Sequence, residues 1–195
     1  MISKPAAAPA RLLNALPSHL KVALGAFTTV VLVSTAQPAY AVTYTFEDII
    51  DPLNLPFTQA IGINDAGTIV GYGNMTIFNG FQLVLPPVSA NFTRLNVPGA
   101  DGGTQVFGIT GNGATTVGFS VTMVGGVAVN NGFAHTGSTF TTVDQLGTAF
   151  NQLLGINNSG TTAAGYSSTD PAGMVNQKAL TVSGGQSFTS PTFIE

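Results

Sequence analysis

The chain has 195 residues, of which 44% are hydrophobic, 7% are charged and 24 are glycines. Intrinsic disorder is excluded, because it requires low hydrophobicity together with high charge. A coiled coil or charged helical bundle is also excluded, because both are rich in Glu, Lys and Arg. The polar surface must therefore be built mostly from Thr, Ser, Asn, Gln and Gly.

The N-terminal segment, residues 1–41, has the pattern of a secretory signal peptide. Its cations are Lys4, Arg11 and Lys21. They precede the apolar run Val22–Val33, and Ala39-Tyr40-Ala41 then supplies small residues at the two cleavage-determining positions. The apolar run is shorter than the roughly 20 residues of a transmembrane helix. We therefore predict cleavage after Ala41 and a secreted protein, either extracellular or periplasmic.

Residues 42–195 form the predicted mature protein, which contains two cationic and eight acidic residues and has a formal charge of −6. Nucleic acid is excluded as a partner, because phosphate contacts require many Lys and Arg residues. Membrane attachment after signal cleavage is not expected either, because the same cations are needed at an anionic surface. The absence of Cys excludes a disulfide framework.

One sequence word occurs three times in the mature region, at Gly62–Tyr72, Gly108–Phe119 and Gly155–Tyr166. The first glycines of the three copies are 46 and 47 residues apart, and the later two copies are one residue longer. We therefore predict a single domain of three repeats. They span approximately residues 58–97, 104–144 and 151–194.

Two further words accompany each copy. Asn-Gly-Phe occurs at 79–81 and 131–133, with a weak third copy at 177–179, and closing words begin at Phe92, Phe140 and Phe188. Residues 43–48 resemble a detached fourth copy of the closing word. We predict that they form an extra strand that closes the sheet of the last repeat.

The repeated word has the chemistry of a tight turn between two strands. Asn64–Gly67, Thr110–Gly113 and Asn157–Gly160 place a side-chain acceptor first and Gly fourth, which is the preference of a type I turn. The flanking residues are β-branched or aromatic, as in half-buried strands. No segment of the mature region has a sustained helical period, so we predict an all-β protein.

These words are similar to those of the HAF family of bacterial extracellular repeat proteins. The resemblance lies in Gly-Ile-Asn-x-x-Gly, Val-Gly-Tyr, Gly-Phe and the segment Phe92–Ala100, and it covers essentially the whole mature chain. Asn-Gly-Phe stands where the family has His-Ala-Phe or a similar triplet. The resemblance implies export and propeller-like β repeats, and it supplies no catalytic residues.

A repeat of this length matches one four-stranded propeller blade, for which about 40–50 residues are typical. We therefore predict a propeller-like architecture of about three four-stranded units. Closed propellers have about four to eight blades, so three alternatives stay open. These are a β-trefoil-like or other small β-barrel, an irregular small propeller, and half a ring completed by a second chain.

No residue of the mature region is predicted to be catalytic. His135 is the only mature histidine, and no metal-ligand or nucleophile motif surrounds it, so we predict a structural role. Glu47, Asp48 and Asp51 are close in sequence, but neighbours in a strand point to opposite faces. We therefore predict that these acids are solvated on the surface.

No cofactor is predicted, although calcium stays open. Asn64-Asp65, Asn157-Asn158 and Asp101 supply oxygen ligands of the type that calcium prefers. They lack the Asp-x-Asp-x-Asp spacing of a calcium loop, and turn geometry already accounts for the Asn residues. The three Asn-x-Ser/Thr matches, at Asn74, Asn91 and Asn157, have no force if the protein is bacterial, as the resemblance to the HAF family implies.

Two functional classes follow. The first is a secreted, non-catalytic binding or structural module with an unknown extracellular protein or polysaccharide as partner, in which homo-oligomers are an option. The second is a secreted hydrolase that acts on glycans through acids such as Asp65 or Asp101. Two carboxylates in one pocket, about 5–10 Å apart, would favour the hydrolase.

Overall fold

The structure is a computed structural model that describes residues 43–52, 57–145 and 148–183, and the backbone of residues 192–194. The chain divides into Met1–Thr45, of which only residues 43–45 are described, and Phe46–Glu195, which holds all the strands. The described residues contain β-strands and a short 3-10 turn at Ser89–Asn91, without an α-helix. The prediction of an all-β protein is confirmed. In the same ranges no helix is long and apolar enough to cross a membrane.

The strands fall into three consecutive units of four, one within each predicted repeat. Unit 1 contains β1 (Thr58–Ile63), β2 (Ile69–Gly73), β3 (Asn79–Leu83) and β4 (Phe92–Arg94). Unit 2 contains β5 (Gly103–Ile109), β6 (Thr115–Val124), β7 (Val127–Thr136) and β8 (Thr139–Val143). Unit 3 contains β9 (Phe150–Ile156), β10 (Thr162–Ser168), β11 (Lys178–Ser183) and β12 (Thr192–Ile194). Each strand pairs antiparallel with the next in its unit, so every unit is a four-stranded meander.

Consecutive units are joined by a parallel bridge at equivalent positions. Phe78 pairs with Gly103 between units 1 and 2, and Asn130 pairs with Phe150 between units 2 and 3. Unit 1 forms a four-stranded sheet, and units 2 and 3 share an eight-stranded one. Over the described ranges neither sheet closes on itself. The β-trefoil-like or small-barrel alternative is therefore not supported.

The first strand of each unit contains a β-bulge at the same position. Pairing with the second strand skips Ile61 in β1, Phe107 in β5 and Leu154 in β9. Each skipped residue directly precedes the first glycine of the repeated word. Bulges bend a strand and increase its twist. The three copies therefore share a detailed backbone feature as well as a strand count.

The predicted turns are confirmed in all three copies. The amides of Gly67, Gly113 and Gly160 donate to the carbonyl three residues earlier at 2.9–3.0 Å, and the φ angles of these glycines are 78°, 73° and 73°. Asn64 and Asn157 also accept backbone N–H bonds of their own turns through Oδ1. The recurring Asn and Gly residues thus shape the backbone.

Replacing a turn glycine tests this assignment. We expect Gly160→Val to lower the free energy of unfolding by about 1–3 kcal/mol, because a β-branched residue is strained at positive φ. The added Cβ would also lie 3.1 Å from Cγ2 of Thr110. The measurement is the thermal melting temperature, with Ser159→Ala in the same exposed turn as the control. Equal melting temperatures for both variants would contradict the turn assignment.

The hydrophobic core lies mainly between consecutive units. One cluster contains Val70 of β2 and Leu95, which directly follows β4. These two residues pack on Val106, Ile109 and Phe133 of unit 2. The corresponding cluster between units 2 and 3 consists of Val117, Ala134, Val143, Leu153, Ala163, Leu180 and Val182. Because equivalent residues form both clusters, a unit packs on the next unit with one face of its sheet and on the preceding unit with the other face.

The N-terminal segment does not form the predicted closing strand. Residues 43–50 have no regular secondary structure, and the side chains of Tyr44 and Phe46 are 74% and 95% exposed. The prediction of a strand at 43–48 is therefore wrong, because the outer position of unit 3 belongs to β12, which pairs with β11. Ile49 instead packs on unit 1, against the cluster of Ile69, Phe81 and Leu83. The predicted signal peptide, 1–41, and the third closing word, 188–191, lie outside the described residues.

Candidate functional site

The turns of the three units meet one another, although they are far apart in sequence. Asn64 Nδ2 donates to the carbonyl of Thr110 at 3.3 Å, and the amide of Gly111 donates to the carbonyl of Asn158 at 3.2 Å. Asn158 Nδ2 in turn donates to Oδ2 of Asp65 at 3.5 Å. Each turn thus contacts the other two. We call residues 64–67, 110–113 and 157–160 the turn cluster.

A polar cavity of about 170 Å³ lies beside the turns of units 2 and 3. Hydroxyl, amide and small side chains line it, from Thr110, Asn112, Ala114, Thr115, Thr136, Ser159 and Gly160. Pockets for drug-sized ligands usually measure about 300–1,000 Å³. The cavity therefore suits one polar group of a larger partner rather than a whole small molecule.

Six residues of the turn cluster are exposed: Asp65, Ala66, Asn112, Asn157, Asn158 and Ser159. Among them, Asp65, Asn158 and Ser159 offer a carboxylate, an amide and a hydroxyl at one end of the units. In contrast, the side-chain oxygens of Asn64 and Asn157 are engaged by backbone amides. The repeated asparagines build the turns, and their neighbours are available to a partner.

His135 lies in β7, where its ring packs against Phe140 with a centroid distance of 4.3 Å. Burial lowers the pKa of His135 below its usual range, so the imidazole is neutral at neutral pH. The equivalent positions in units 1 and 3 are Leu83 and Val182, both fully buried core residues. His135 therefore occupies a packing position of the repeat.

The two acids considered for glycan hydrolysis lie near opposite ends of β5. Asp101 precedes β5 and accepts the amide of Met123 at 2.7 Å, whereas the turn of Asp65 contacts Thr110, directly after β5. A strand of this length spans roughly 20 Å. A glycosidase pair requires about 5–10 Å, so the structure does not bring these two carboxylates together.

The N-terminal acids do not behave alike. Glu47 and Asp48 are exposed, as expected for solvated residues. Asp51 is 1% exposed, and both of its oxygens accept bonds from the guanidinium of Arg94 in β4. The prediction of a solvated Asp51 is therefore wrong. A signal existed in the sequence, because Arg94 is one of only two Lys or Arg residues after position 41 and follows the repeated closing-word phenylalanine by two positions.

Three of the residues considered for calcium accept backbone amides, whereas Asp65 accepts a hydrogen bond from Nδ2 of Asn158. Asn64 and Asn157 accept turn amides, and Asp101 accepts the amide of Met123. Within the described ranges, no three His, Asp or Glu side chains are grouped as a metal site requires. Asp170 shows the same use of an acid: it accepts the amides of Ala172, Met174 and Val175, and these bonds lower its pKa.

Sequence reasoning also missed a cluster of aromatic rings between units 1 and 2. The ring of Tyr72 lies 5.5–5.9 Å from those of Phe57, Phe78 and Phe107, and Phe107 also contacts Phe119 at 5.5 Å. Burial raises the pKa of the Tyr72 hydroxyl. Phe107 is the bulge residue of β5, so the bulge places one of the rings in this cluster.

The turn cluster with its cavity is the candidate functional site, because it gathers exposed polar side chains from different units. No protein-family model, curated protein or solved structure matches the chain.

Proposed function

We propose that the protein is a secreted, non-catalytic β-repeat module that binds an extracellular polysaccharide or protein through the turn cluster. The observation that carries this proposal is the meeting of three copies of one turn, with Asp65, Asn158 and Ser159 exposed beside each other. Repeat folds offer binding surfaces without a reactive residue. The signal-peptide pattern at 1–41 and the resemblance to the HAF family support export.

We further propose a propeller-like arrangement in which each unit is one blade. Four-stranded antiparallel units in chain order support this, because a propeller blade has that composition. The first strands of neighbouring units also approach each other closely at glycines. A Cβ built on Gly62 would lie 2.6 Å from the carbonyl oxygen of Phe107, and one built on Gly108 would lie 3.1 Å from Cα of Gly155.

The non-catalytic role is supported by the way in which the candidate groups are engaged. Asp51 is paired with Arg94, Asp101 accepts a backbone amide, and His135 packs on Phe140. Each of these contacts stabilises the fold. A polar surface that binds hydroxyl or amide groups of a partner by hydrogen bonds needs no proton transfer.

A binding experiment with matched variants tests the proposal. The purified protein is measured against panels of immobilised bacterial exopolysaccharides and bacterial surface proteins. We expect Asp65→Ala to weaken binding about ten- to a hundredfold, the effect of losing one hydrogen bond to a charged group of about 1.5–3 kcal/mol. Asp48→Ala is the control, because Asp48 is an equally exposed acid in the N-terminal segment.

Three results would contradict the proposal. The first is equal binding by the Asp65→Ala and Asp48→Ala variants, which would place the binding surface elsewhere. The second is the absence of binding to every member of both panels. The third is the release of soluble sugars from the polysaccharide panel by the unmodified protein, which would favour a hydrolase.

A further inference from the structure

Each unit has a forward face, which packs on the next unit, and a backward face, which packs on the preceding unit. The forward positions in unit 1 are Gly62, Val70 and Gly80, and the equivalents in unit 2 are Gly108, Val117 and Gly132. All except Gly62 are buried, and Val70 and Val117 are completely so. The same face thus forms the same kind of interface twice.

In unit 3 no described residue of the chain covers the forward face. Its equivalent residues are Gly155, Ala164 and Ala179, and both alanines are exposed. A Cβ built on Gly155 would meet no atom within 4 Å, in contrast with its counterparts Gly62 and Gly108. A shallow groove of about 340 Å³ runs along this face, with Gly155, Ile156 and Ala164 in its lining.

Among the described residues, none covers the inner part of the backward face of unit 1. Ile63 is 65% exposed, whereas its counterpart Ile109 is 6% exposed because unit 1 packs against it. Ala60 is also exposed, although the equivalent Val106 and Leu153 are buried. A groove of about 210 Å³ lies here, lined by Ala60, Ile61, Gly62, Ile63 and Ile69. Only the outer part of this face, at Phe81 and Leu83, is covered by Ile49.

We propose that a second copy of this chain covers both faces. The forward face of unit 3 in each copy packs on the backward face of unit 1 in the other, which closes six units with two-fold symmetry. Within the chain, the forward faces of units 1 and 2 each pack on the backward face of the following unit. The free forward face of unit 3 is the third copy of the same surface. The residues that line the two grooves are uncharged, so no desolvation of charge opposes a contact there.

Ring closure fits the proposed blades, because six lies within the range of about four to eight that propellers use. Two-fold dimers are also the commonest symmetric oligomers. The inference goes beyond the proposed binding role. The binding experiment tests the turn cluster through Asp65, whereas the mass of the assembly tests the contact between copies. Either experiment can therefore give a negative result while the other gives a positive one.

The contact between copies predicts which residues meet. Within the chain, the Cβ position of Gly108 lies 3.1 Å from both Cα of Gly155 and the amide nitrogen of Ile156. By equivalence, Gly155 of one copy lies against Gly62 and Ile63 of the other. A charge placed at position 155 therefore faces position 63 of the second copy.

The test is the mass of the purified protein, in the form that cells produce, by light scattering and sedimentation equilibrium. We expect a mass of two chains. Gly155→Lys should raise the dimer dissociation constant at least tenfold and leave the circular dichroism spectrum unchanged, since its Cβ has open space within the chain. Ala128→Lys is the control, because Ala128 is an exposed small residue at the β6–β7 hairpin, and it should stay dimeric.

A second variant tests the direction of packing. Ile63→Asp should also dissociate the dimer, and the double variant Gly155→Lys/Ile63→Asp should restore it, because opposite charges then meet at both interfaces. A monomer at every concentration would overturn the proposal and would mean that the chain itself covers both faces. A series of larger assemblies, or a double variant that stays monomeric, would overturn the two-copy ring.

Discussion

Gly118→Ala is expected to lower the free energy of unfolding by more than about 3 kcal/mol, although it adds a single methyl group. Gly118 lies in β6, where a Cβ would be 2.0 Å from the carbonyl oxygen of Gln105 and 3.0 Å from Cα of Val106. Both atoms belong to the backbone of the paired strand β5. The clash can be relieved only by separating strands in the middle unit, which packs on both others.

The same contact recurs in the other units. A Cβ at Gly71 would lie 1.9 Å from the carbonyl oxygen of Gln59, and one at Gly165 would lie 1.8 Å from that of Gln152. The bulge in each first strand lies directly beside this contact. The glycine of the Gly-aromatic pair is therefore needed for close approach, whereas the turn glycines are needed for positive φ.

Chemical denaturation followed by circular dichroism measures the effect of Gly118→Ala. The matched control is Gly155→Ala, which places the same methyl group in a first strand where no described atom of its own chain lies within 4 Å, and both variants are compared at a concentration low enough to keep the chain monomeric. We expect the control to change the free energy of unfolding by less than about 1 kcal/mol. A similar loss in both variants would show that the close approach at Gly118 is not what limits stability.

The sequence predicted the turns correctly because their chemistry is local. An acceptor side chain followed three residues later by Gly specifies a turn without reference to the rest of the chain. The role of Gly118 was not predictable in this way, because it depends on the register between β5 and β6. The sequence shows that a glycine recurs there, but it does not show which carbonyl approaches it.

The two ends of the repeat array were harder to predict than its middle. The closing-word pattern at 43–48 is a true similarity, but a strand forms only where a partner edge is open, and β12 already pairs with β11. The weak third word predicted at 177–179 is out of register by one residue, because Ala179 pairs with Tyr166 as Gly80 pairs with Tyr72 and Gly132 with Phe119. Pairing with a neighbour therefore decided both outcomes more strongly than residue similarity.

The turn cluster was only partly predictable. The sequence identified each turn separately, and equivalent turns in stacked units are expected at the same end. The contact of Asn158 with Asp65 depends on how unit 3 is placed relative to unit 1, and one sequence contains no record of that. The pair of Asp51 and Arg94 was missed for the same reason, because its partners are 43 residues apart.

Arg94→Met is expected to lower the free energy of unfolding by about 3–5 kcal/mol, the usual cost of removing one partner from a buried ion pair. Asp51 is 1% exposed, and the side chain of Arg94 is 28% exposed. Methionine keeps much of the volume of the arginine stem. The variant therefore mainly removes the counter-charge of a carboxylate that has little access to water.

The double variant Asp51→Leu/Arg94→Met separates the charge effect from packing. It removes both charges, and we expect it to recover most of the stability that Arg94→Met loses, because apolar replacements of buried pairs are often neutral or stabilising. Urea denaturation of the single and double variants gives the two free energies. An equal loss in both would mean that the pair acts mainly by anchoring the segment around Ile49 over Phe81 and Leu83, because that anchor is absent from both variants.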